Sequence, residues 1–485
     1  MKQLSFLLFF CLCQCLSAQP KTEVRAVWLT VNYGLDWPKE PFQNERDIEI
    51  QKSELDWILD QLKEIHINMV FLQTRIRGDV IYPSKIEVRS GYVKSTNATA
   101  DYDPLLYAIK ACHQRGMECH AWIVLYPLGS EAKNKKLNRT FPARLVKTYK
   151  NDMYLDPGNP QTDAYLLSII KEIVLDYDID GIHLDYNRYP DDPTGFPDQD
   201  TYQLHGNGKN KDDWRRGNIN RVVYAIYDAV KAIKPWVQVS SSVVGMYRGI
   251  SDTKQGFWTA YSSVFQDPVD WLAKGKHDFI VPMTYYPDKI FNPSVKDWMS
   301  RNNDRFIIPG LGVFRMEEKT SRLDASVFYD QITFSRENDA HGNAFFRTAH
   351  LLDNANGFGK GLRSLLYPAP ALLPPLTWLS QTLPDVPSSF SAHTDGSFLY
   401  LNWNKVHTKD NQPVYYNLYR SKTFPVNTGN PQNLVAVRLT DNQFKLSIDN
   451  RIESGYYYIV TGFDRYHNES AGSKPVYFVT GNFKK

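Results

Sequence analysis

From residue 24 to about residue 366 the chain alternates short β-rich runs with helical patterns, and this alternation restricts its fold more than any other feature. Strands are predicted at 24–30, 68–74, 118–125, 181–186, 237–243, 279–285, 306–311 and 343–347. Helical patterns fall between them at 50–65, 104–115, 162–177, 218–233, 269–274 and 324–336. In the first of these, Leu55, Ile58, Leu59, Leu62 and Ile65 recur at the spacing of one helix face packed on a sheet. Eight strands alternating with helices predict the α/β class and a (β/α)8 TIM barrel with long loops over residues 19–366. A doubly wound sheet is the alternative, but no glycine-rich dinucleotide fingerprint follows the first strand.

The pattern changes after a run in which Pro368, Pro370, Pro374, Pro375, Pro384 and Pro387 crowd together. Such density favours an extended connector, so residues 367–387 are predicted to be a linker. Strands alone follow, at 397–403, 415–419, 434–438, 444–448 and 456–464, so residues 388–485 are predicted to form a small all-β sandwich. Its penultimate strand and turn, Tyr456–Tyr457–Tyr458 through Asp464 to Asn468–Glu469–Ser470, resemble a fibronectin type III module. This second unit is expected to be separable from the first.

The first eighteen residues have a basic start at Lys2, an apolar run from Leu4 to Leu12 and small residues at Ser17–Ala18. This is the pattern of a secretory signal cleaved near Ala18, and it predicts an exported protein, periplasmic or extracellular. The run is too short to span a bilayer, and no later apolar stretch is long enough. Beyond the signal only Cys112 and Cys119 remain, either as a disulfide or as two buried small hydrophobes.

A formal net charge of +3 lacks the basic excess of a nucleic-acid binder. The 30 Tyr, 25 Phe and 11 Trp suit carbohydrate, whose apolar faces stack on flat rings. There is no HExxH, CxxC pair, Walker A loop or GxSxG elbow, so no metal or cofactor is predicted. Asp191, Asp192, Asp198 and Asp200 make an oxygen-rich loop without EF-hand spacing, read as a solvated loop.

Chemistry in a barrel belongs at the C-terminal ends of the strands, where the loops converge. The fourth strand ends Asp180–Gly181–Ile182–His183–Leu184–Asp185–Tyr186. Alternation turns Ile182 and Leu184 outward and His183 and Asp185 inward. An inward carboxylate at a strand end is unfavourable unless paired or used, and Asp185 is the candidate catalytic group. A structural ion pair with a neighbouring Arg is the competing reading. The second strand ends in Gln73 and Arg75, read as sharing the interior face, with Arg75 placed to hold Asp185 or a substrate hydroxyl. Asp79, just beyond, and Glu317, after the seventh strand, are candidate partner carboxylates. His120 and Trp122 share a face of the third strand; the indole either stacks on a sugar or plugs the core.

Several linked motifs carry a family likeness in collinear order. They are Glu23–Val24–Arg25–Ala26–Val27–Trp28 with Asp36–Trp37–Pro38, and Gln73-x-Arg75-x-x-Gly78–Asp79 with Tyr82–Pro83–Ser84–Lys85. Arg115–Gly116 with His120–Ala121–Trp122, Leu155–Asp156–Pro157–Gly158–Asn159–Pro160 and the fourth-strand run complete the set. Together they resemble the glycosyl hydrolase-like 10 family. That resemblance implies a (β/α)8 barrel related to glycoside hydrolases, exported by bacteria, often with an appended fibronectin-like domain. Some members resemble enzymes that cleave peptidoglycan glycan strands stripped of their stem peptides. The chain departs from the family at Tyr186, where many members carry a second Asp, and at Ile76, where Pro is frequent.

The expected function is therefore an exported glycoside hydrolase acting on a polysaccharide, with peptidoglycan glycan strands as the named candidate. Such cleavage normally uses two carboxyl groups, one of them Asp185 here. Gln73, Arg75, His120, His183 and Tyr189 are expected to orient the sugar and tune Asp185, and Trp122 and Tyr285 to supply stacking faces. The alternative is a non-catalytic carbohydrate-binding protein on the same barrel.

Overall fold

The computed structural model describes residues 19–479 apart from 137–138, 251–256, 318, 320–321, 353–356, 409–411, 413 and 449–454. The predicted signal lies outside the described residues. The strands of the first part are β1 (Val24–Leu29), β2 (Met69–Arg75), β3 (Glu118–Val124), β4 (Pro127–Ser130), β5 (Val146–Tyr149) and β6 (Asp152–Leu155). They continue with β7 (Gly181–Asp185), β8 (Gln238–Val244), β9 (Phe279–Met283), β10 (Phe306–Ile307), β11 (Gly310–Leu311) and β12 (Gly342–Phe345).

Nine of them form one parallel sheet in the order β10-β9-β8-β7-β3-β2-β1-β12-β11. The two strands that end this order are successive pieces of residues 306–311, so the sheet is strongly curled. Ile308 donates its N–H to Ile280 on one side, and Pro309 accepts from Ala344 on the other. All eight predicted strand positions are strands, the seventh interrupted at Ile308–Pro309. The small antiparallel sheet β4-β6-β5 in the loop after β3 and the helix Asp288–Met299, which carries Pro293 in its interior, lie outside the elements the sequence predicts.

The predicted helices surround the sheet. Glu45–Glu64 starts at a capping box, with Asn44 accepting from the N–H of Asp47 and Asp47 accepting in return. Its buried Leu55, Ile58, Leu59 and Leu62 join the outward-facing Val27, Leu29, Val70 and Leu72 in one apolar layer. The inward-facing set is separate: Ala26, Trp28, Met69, Phe71, Trp122, Phe279, Val281, Phe306 and Ala344. Period-two alternation thus divides each strand between two cores. Gly181 is needed in β7 because an added Cβ would lie 2.2 Å from His120 Nδ1.

The C-terminal part carries two antiparallel sheets. One contains β13 (Ser391–Thr394), β14 (Phe398–Asn402) and, after β15 (Tyr415–Ser421) and β16 (Leu434–Leu439), β17 (Gln443–Ser447). The other has the order β16-β15-β18-β19, with β18 at Tyr456–Phe463 and β19 at Val476–Phe478. The proline-rich run is extended, but it is not a free tether. Leu373 and Leu376 enter the inward core, and Trp378 lies edge-on to Phe306 at 4.7 Å.

Charges bind this base together. Glu118, at the start of β3, meets Arg438 at 2.6 Å and His467 at 2.7 Å, and Arg438 also holds Asp180 at 2.9 Å. Burial disfavours both carboxylates, yet His467 and Arg438 beside Glu118, and His113 and Arg438 beside Asp180, pull each below the usual range. The second unit is therefore docked through buried charge, contrary to the expectation of easy separation.

Candidate active site

Asp185 ends β7, pointing into the curled sheet at the mouth where the strands' C-terminal loops gather. It is 6% exposed. Trp122 Nε1 donates to its Oδ2 at 3.0 Å, and the backbone N–H of Tyr186 donates to its Oδ1 at 2.8 Å. Burial pushes the carboxyl pKa up, against the pull of Arg188, the Tyr186 N–H and the indole. No ion pair joins Arg188 to Asp185. The guanidinium bonds Asp191, lying 4.6 Å from the Tyr186 ring centre and 5.1 Å from that of Trp258. Tyr186 itself has a positive φ of 51°, a sharp departure from strand geometry right after the carboxylate.

Tyr285 follows β9 and stands near Asp185. Burial, then the negative charge of Asp185, raises its phenol well above the ordinary value. Its ring stacks on Phe346 at 5.8 Å and meets Phe314 edge-on at 5.7 Å. The structure thus brings Asp185, Trp122 and Tyr285 together. The indole of Trp122 serves a purpose that sequence reasoning did not name, since it donates to the carboxylate.

The other predicted residues sit elsewhere. Arg75 does not touch Asp185. It forms a two-bond ion pair with Glu87, at 2.8 and 2.7 Å, and donates to Leu125 O at 2.8 Å. The reason is a bulge: Gln73 aligns with Trp122, but Arg75 aligns with Ile123, so Thr74 is the extra residue and the shared face is lost. Gln73 does face the mouth region, but Oε1 is occupied by the N–H groups of Val31 and Asn32 at 3.0 and 2.9 Å. It fixes the loop after β1.

His183 lies one layer below Asp185, fully buried and stacked on Phe71 at 3.9 Å. Trp28 Nε1 donates to its Nε2 at 3.1 Å, so Nδ1 carries the proton toward Ser240 Oγ at 2.9 Å. Burial, with His120 and His277 nearby, lowers its pKa far enough to keep it neutral. It is a polar core residue. His120 is deeper still, bonded to Glu118 at 2.9 Å, and belongs to the charged base rather than the mouth. Tyr189 is buried between Phe196 and Phe265, both edge-on at 5.5 Å, with its hydroxyl accepting from Asn218. It supports the loop and presents no face to a ligand.

Neither candidate partner carboxylate reaches Asp185. Asp79 is fully buried and ion-paired with Arg139. Glu317 is half-exposed and meets His350 Nδ1 at 2.9 Å. Each aspartate of the oxygen-rich loop also has a cation: Arg188 for Asp191, Lys150 for Asp192, Arg215 for Asp198 and Lys147 for Asp200. Cys112 and Cys119 are free, buried thiols in the outer core. Among the described residues no helix is long and apolar enough to cross a membrane.

Residues 23–311 match the family model of glycosyl hydrolase-like 10. The chain belongs to that family. It is 31% identical over 487 residues to the glycosyl hydrolase YngK of Bacillus subtilis, covering 94% of each chain. It is 30% identical to the glycosyl hydrolase DigH of Escherichia coli K12, over 56% of this chain and 66% of that one. Among solved structures, the PgaB (BpsB) glycoside hydrolase domain from Bordetella bronchiseptica aligns with a TM-score of 0.46 at 15% identity, over 71% of this chain and 99% of that one.

Proposed function

We propose that the protein is an exported glycoside hydrolase that cleaves a polysaccharide, the glycan strands of peptidoglycan in the first instance, with Asp185 as proton donor. One observation carries this reading: a buried carboxyl at the mouth, without an ion-pair partner among the described residues and with its pKa raised. Such a group keeps its proton to higher pH than an ordinary carboxyl and can deliver it to a leaving glycosidic oxygen. The Trp122 indole and the Tyr186 amide hold the carboxylate left after transfer. Tyr285 lines the approach as a stacking face. In the same reading the curled sheet is a (β/α)8 barrel, the C-terminal sheets form a fibronectin type III-like sandwich and residues 1–18 are a cleaved signal. The names of YngK and DigH support a hydrolase.

A second reading, carbohydrate binding without cleavage, is favoured by one fact: Arg139 and His350 occupy both candidate partner carboxylates. Incubation with purified glycans, peptide-free peptidoglycan strands included, separates the two. Shortened products in mass spectrometry establish the hydrolase; retention of intact glycan on the protein establishes the binder.

A further inference from the structure

A cavity of about 640 Å³ lies between the base of the curled sheet and the C-terminal sheets. One wall comes from the ends of the helices Glu45–Glu64 and Pro104–Gln114, through Lys63, Gln114 and Gly116, and the other from β16 and β17. A cavity of this size takes a small ligand or a short peptide, and such sites favour the seams between units.

Residues 435–441 and 443–445 line it almost without a break. A strand turns successive side chains to opposite faces, so consecutive residues line one cavity only where the strand presents its edge. Both strands end their sheets: β16 pairs only with β15, and β17 only with β14. The edge of β16 is covered, since Val437 O lies against Gly116, where an added Cβ would come within 2.6 Å. The edge of β17 is open. Trp403 donates its N–H to Asn442 O at 3.1 Å, and Ile448 donates to Ser397 O at 2.8 Å. Bonded pairs alternate along an antiparallel ladder, so Phe444 and Leu446 use their backbone groups on Leu401 and Leu399. Gln443, Lys445 and Ser447 therefore turn N–H and C=O outward, where no backbone partner meets them among the described residues. All three are exposed, and an open edge is a template for one more strand.

Charge selects the occupant. Two guanidinium groups of the cavity are neutralised, Arg115 by Asp56 and Asp60, and Arg438 by Glu118 and Asp180. Lys63, Arg363 and Lys445 have no carboxylate within ion-pair distance among the described residues. Arg363 donates to Pro368 O at 2.6 Å, and Lys445 Nζ lies 3.6 Å from the Phe398 ring centre. Against these three cations stand two exposed acids, Glu64 and Asp441. The cavity thus sets a row of backbone donors and acceptors beside a cationic excess, and an extended chain with acidic side chains matches both.

We propose that this cleft binds a short extended peptide rich in Asp and Glu, which adds to β17 as a further strand. The site is separate from Asp185 and does not depend on the hydrolase reading.

The test titrates the full-length protein calorimetrically with three capped hexapeptides. The first alternates glutamate and valine, the second has lysine in place of glutamate, and the third is the acidic peptide methylated at every backbone nitrogen. The acidic peptide is expected to bind at least tenfold tighter than either of the others. Its binding should slow hydrogen exchange at the amides of Gln443, Lys445 and Ser447. Lys63→Glu combined with Lys445→Glu should reverse the preference between the acidic and the lysine peptide. Both side chains are exposed, and melting curves confirm that the variant folds. Equal affinity for the methylated peptide, or slowed exchange at a different strand, overturns strand addition to β17. Equal affinity for the lysine peptide overturns the acidic occupant, and no binding of any peptide overturns the proposal as a whole.

Discussion

The two ends of the curled sheet treat charge in opposite ways. At the base, Glu118, Asp180, Asp278 and Glu23 each have one or more cations within 3.0 Å: Arg438 for the first two, Lys231 for Asp278, and Arg25 and Arg336 for Glu23. Residues 367–380 and the C-terminal strands seal them from water. At the mouth, Asp185 has two N–H donors and, among the described residues, no ion-pair partner. A buried ion pair contributes little net stability, but one left half-made is strongly destabilising, so matched charges mark structure. Unmatched ones at a strand's C-terminal end mark a place where a ligand or a proton completes the balance.

The largest test of this contrast is Asp185→Asn. The amide keeps the shape, but its single oxygen accepts from only one of the Trp122 and Tyr186 donors, and it delivers no proton. Turnover should fall by about 10²–10⁴-fold, the usual share of general acid catalysis. A carboxyl whose folded pKa is raised contributes its stability below the unfolded pKa of 3.8 and loses it as pH rises through the folded value. At neutral pH the relief of the buried charge is opposed by the loss of one acceptor, so the variant should melt close to the wild-type temperature. A lower melting point with unchanged turnover would make Asp185 a structural residue like those of the base.

The opposite result is expected at the base. Arg438→Met leaves Glu118 and Asp180 without their shared guanidinium, and removing one partner from buried pairs costs about 3–5 kcal/mol. Chemical denaturation should show that loss while the folded fraction retains its turnover. A chain ending at Leu366 loses Arg438, His467, Leu376 and Trp378 together and should not melt cooperatively. Cooperative melting by that chain would show that the base is not completed by the C-terminal part.

Trp122→Phe probes the mouth more gently. It removes the indole N–H that lowers the Asp185 pKa, so the alkaline limb of kcat/KM should move to higher pH. Loss of the positioned donor should also reduce kcat/KM by about 10–100-fold. An unmoved limb would place the titrating group elsewhere.

The smallest effect is expected at His66, where the base meets solvent. Burial lowers its pKa from 6.5 to about 4, and its Nδ1 bonds Tyr367 O at 2.8 Å. A depressed His pKa contributes stability above pH 6.5 that is lost as pH falls through 4. The backbone there has a φ of 58°, which Asn tolerates, so His66→Asn should fold and flatten the melting curve's pH dependence between 6.5 and 4. An unchanged slope would shift that dependence to other groups, His277 among them.

What the sequence determined by itself follows from periodicity, because strand alternation and helix spacing are local. It placed all eight strand positions of the nine-stranded sheet, turned Asp185 and His183 inward with Ile182 and Leu184 outward, and set Trp122 on the mouth side of β3. It also signalled the change to antiparallel strands beyond the prolines. Tyr186 was in view as a departure from the family, yet nothing local marked its backbone N–H as a donor to Asp185.

Partner choice was decided only by the tertiary structure. Thr74 bulges because β2 and β3 must keep pairing around a curled sheet, and that one residue sends Arg75 to Glu87. Asp79 meets Arg139 across a loop, and Arg438 reaches Asp180 from 258 residues away. The hydrogen bonds and ion pairs of a buried charge depend on what the whole chain packs around it. A residue's direction follows from its own strand; its partner follows from every other element.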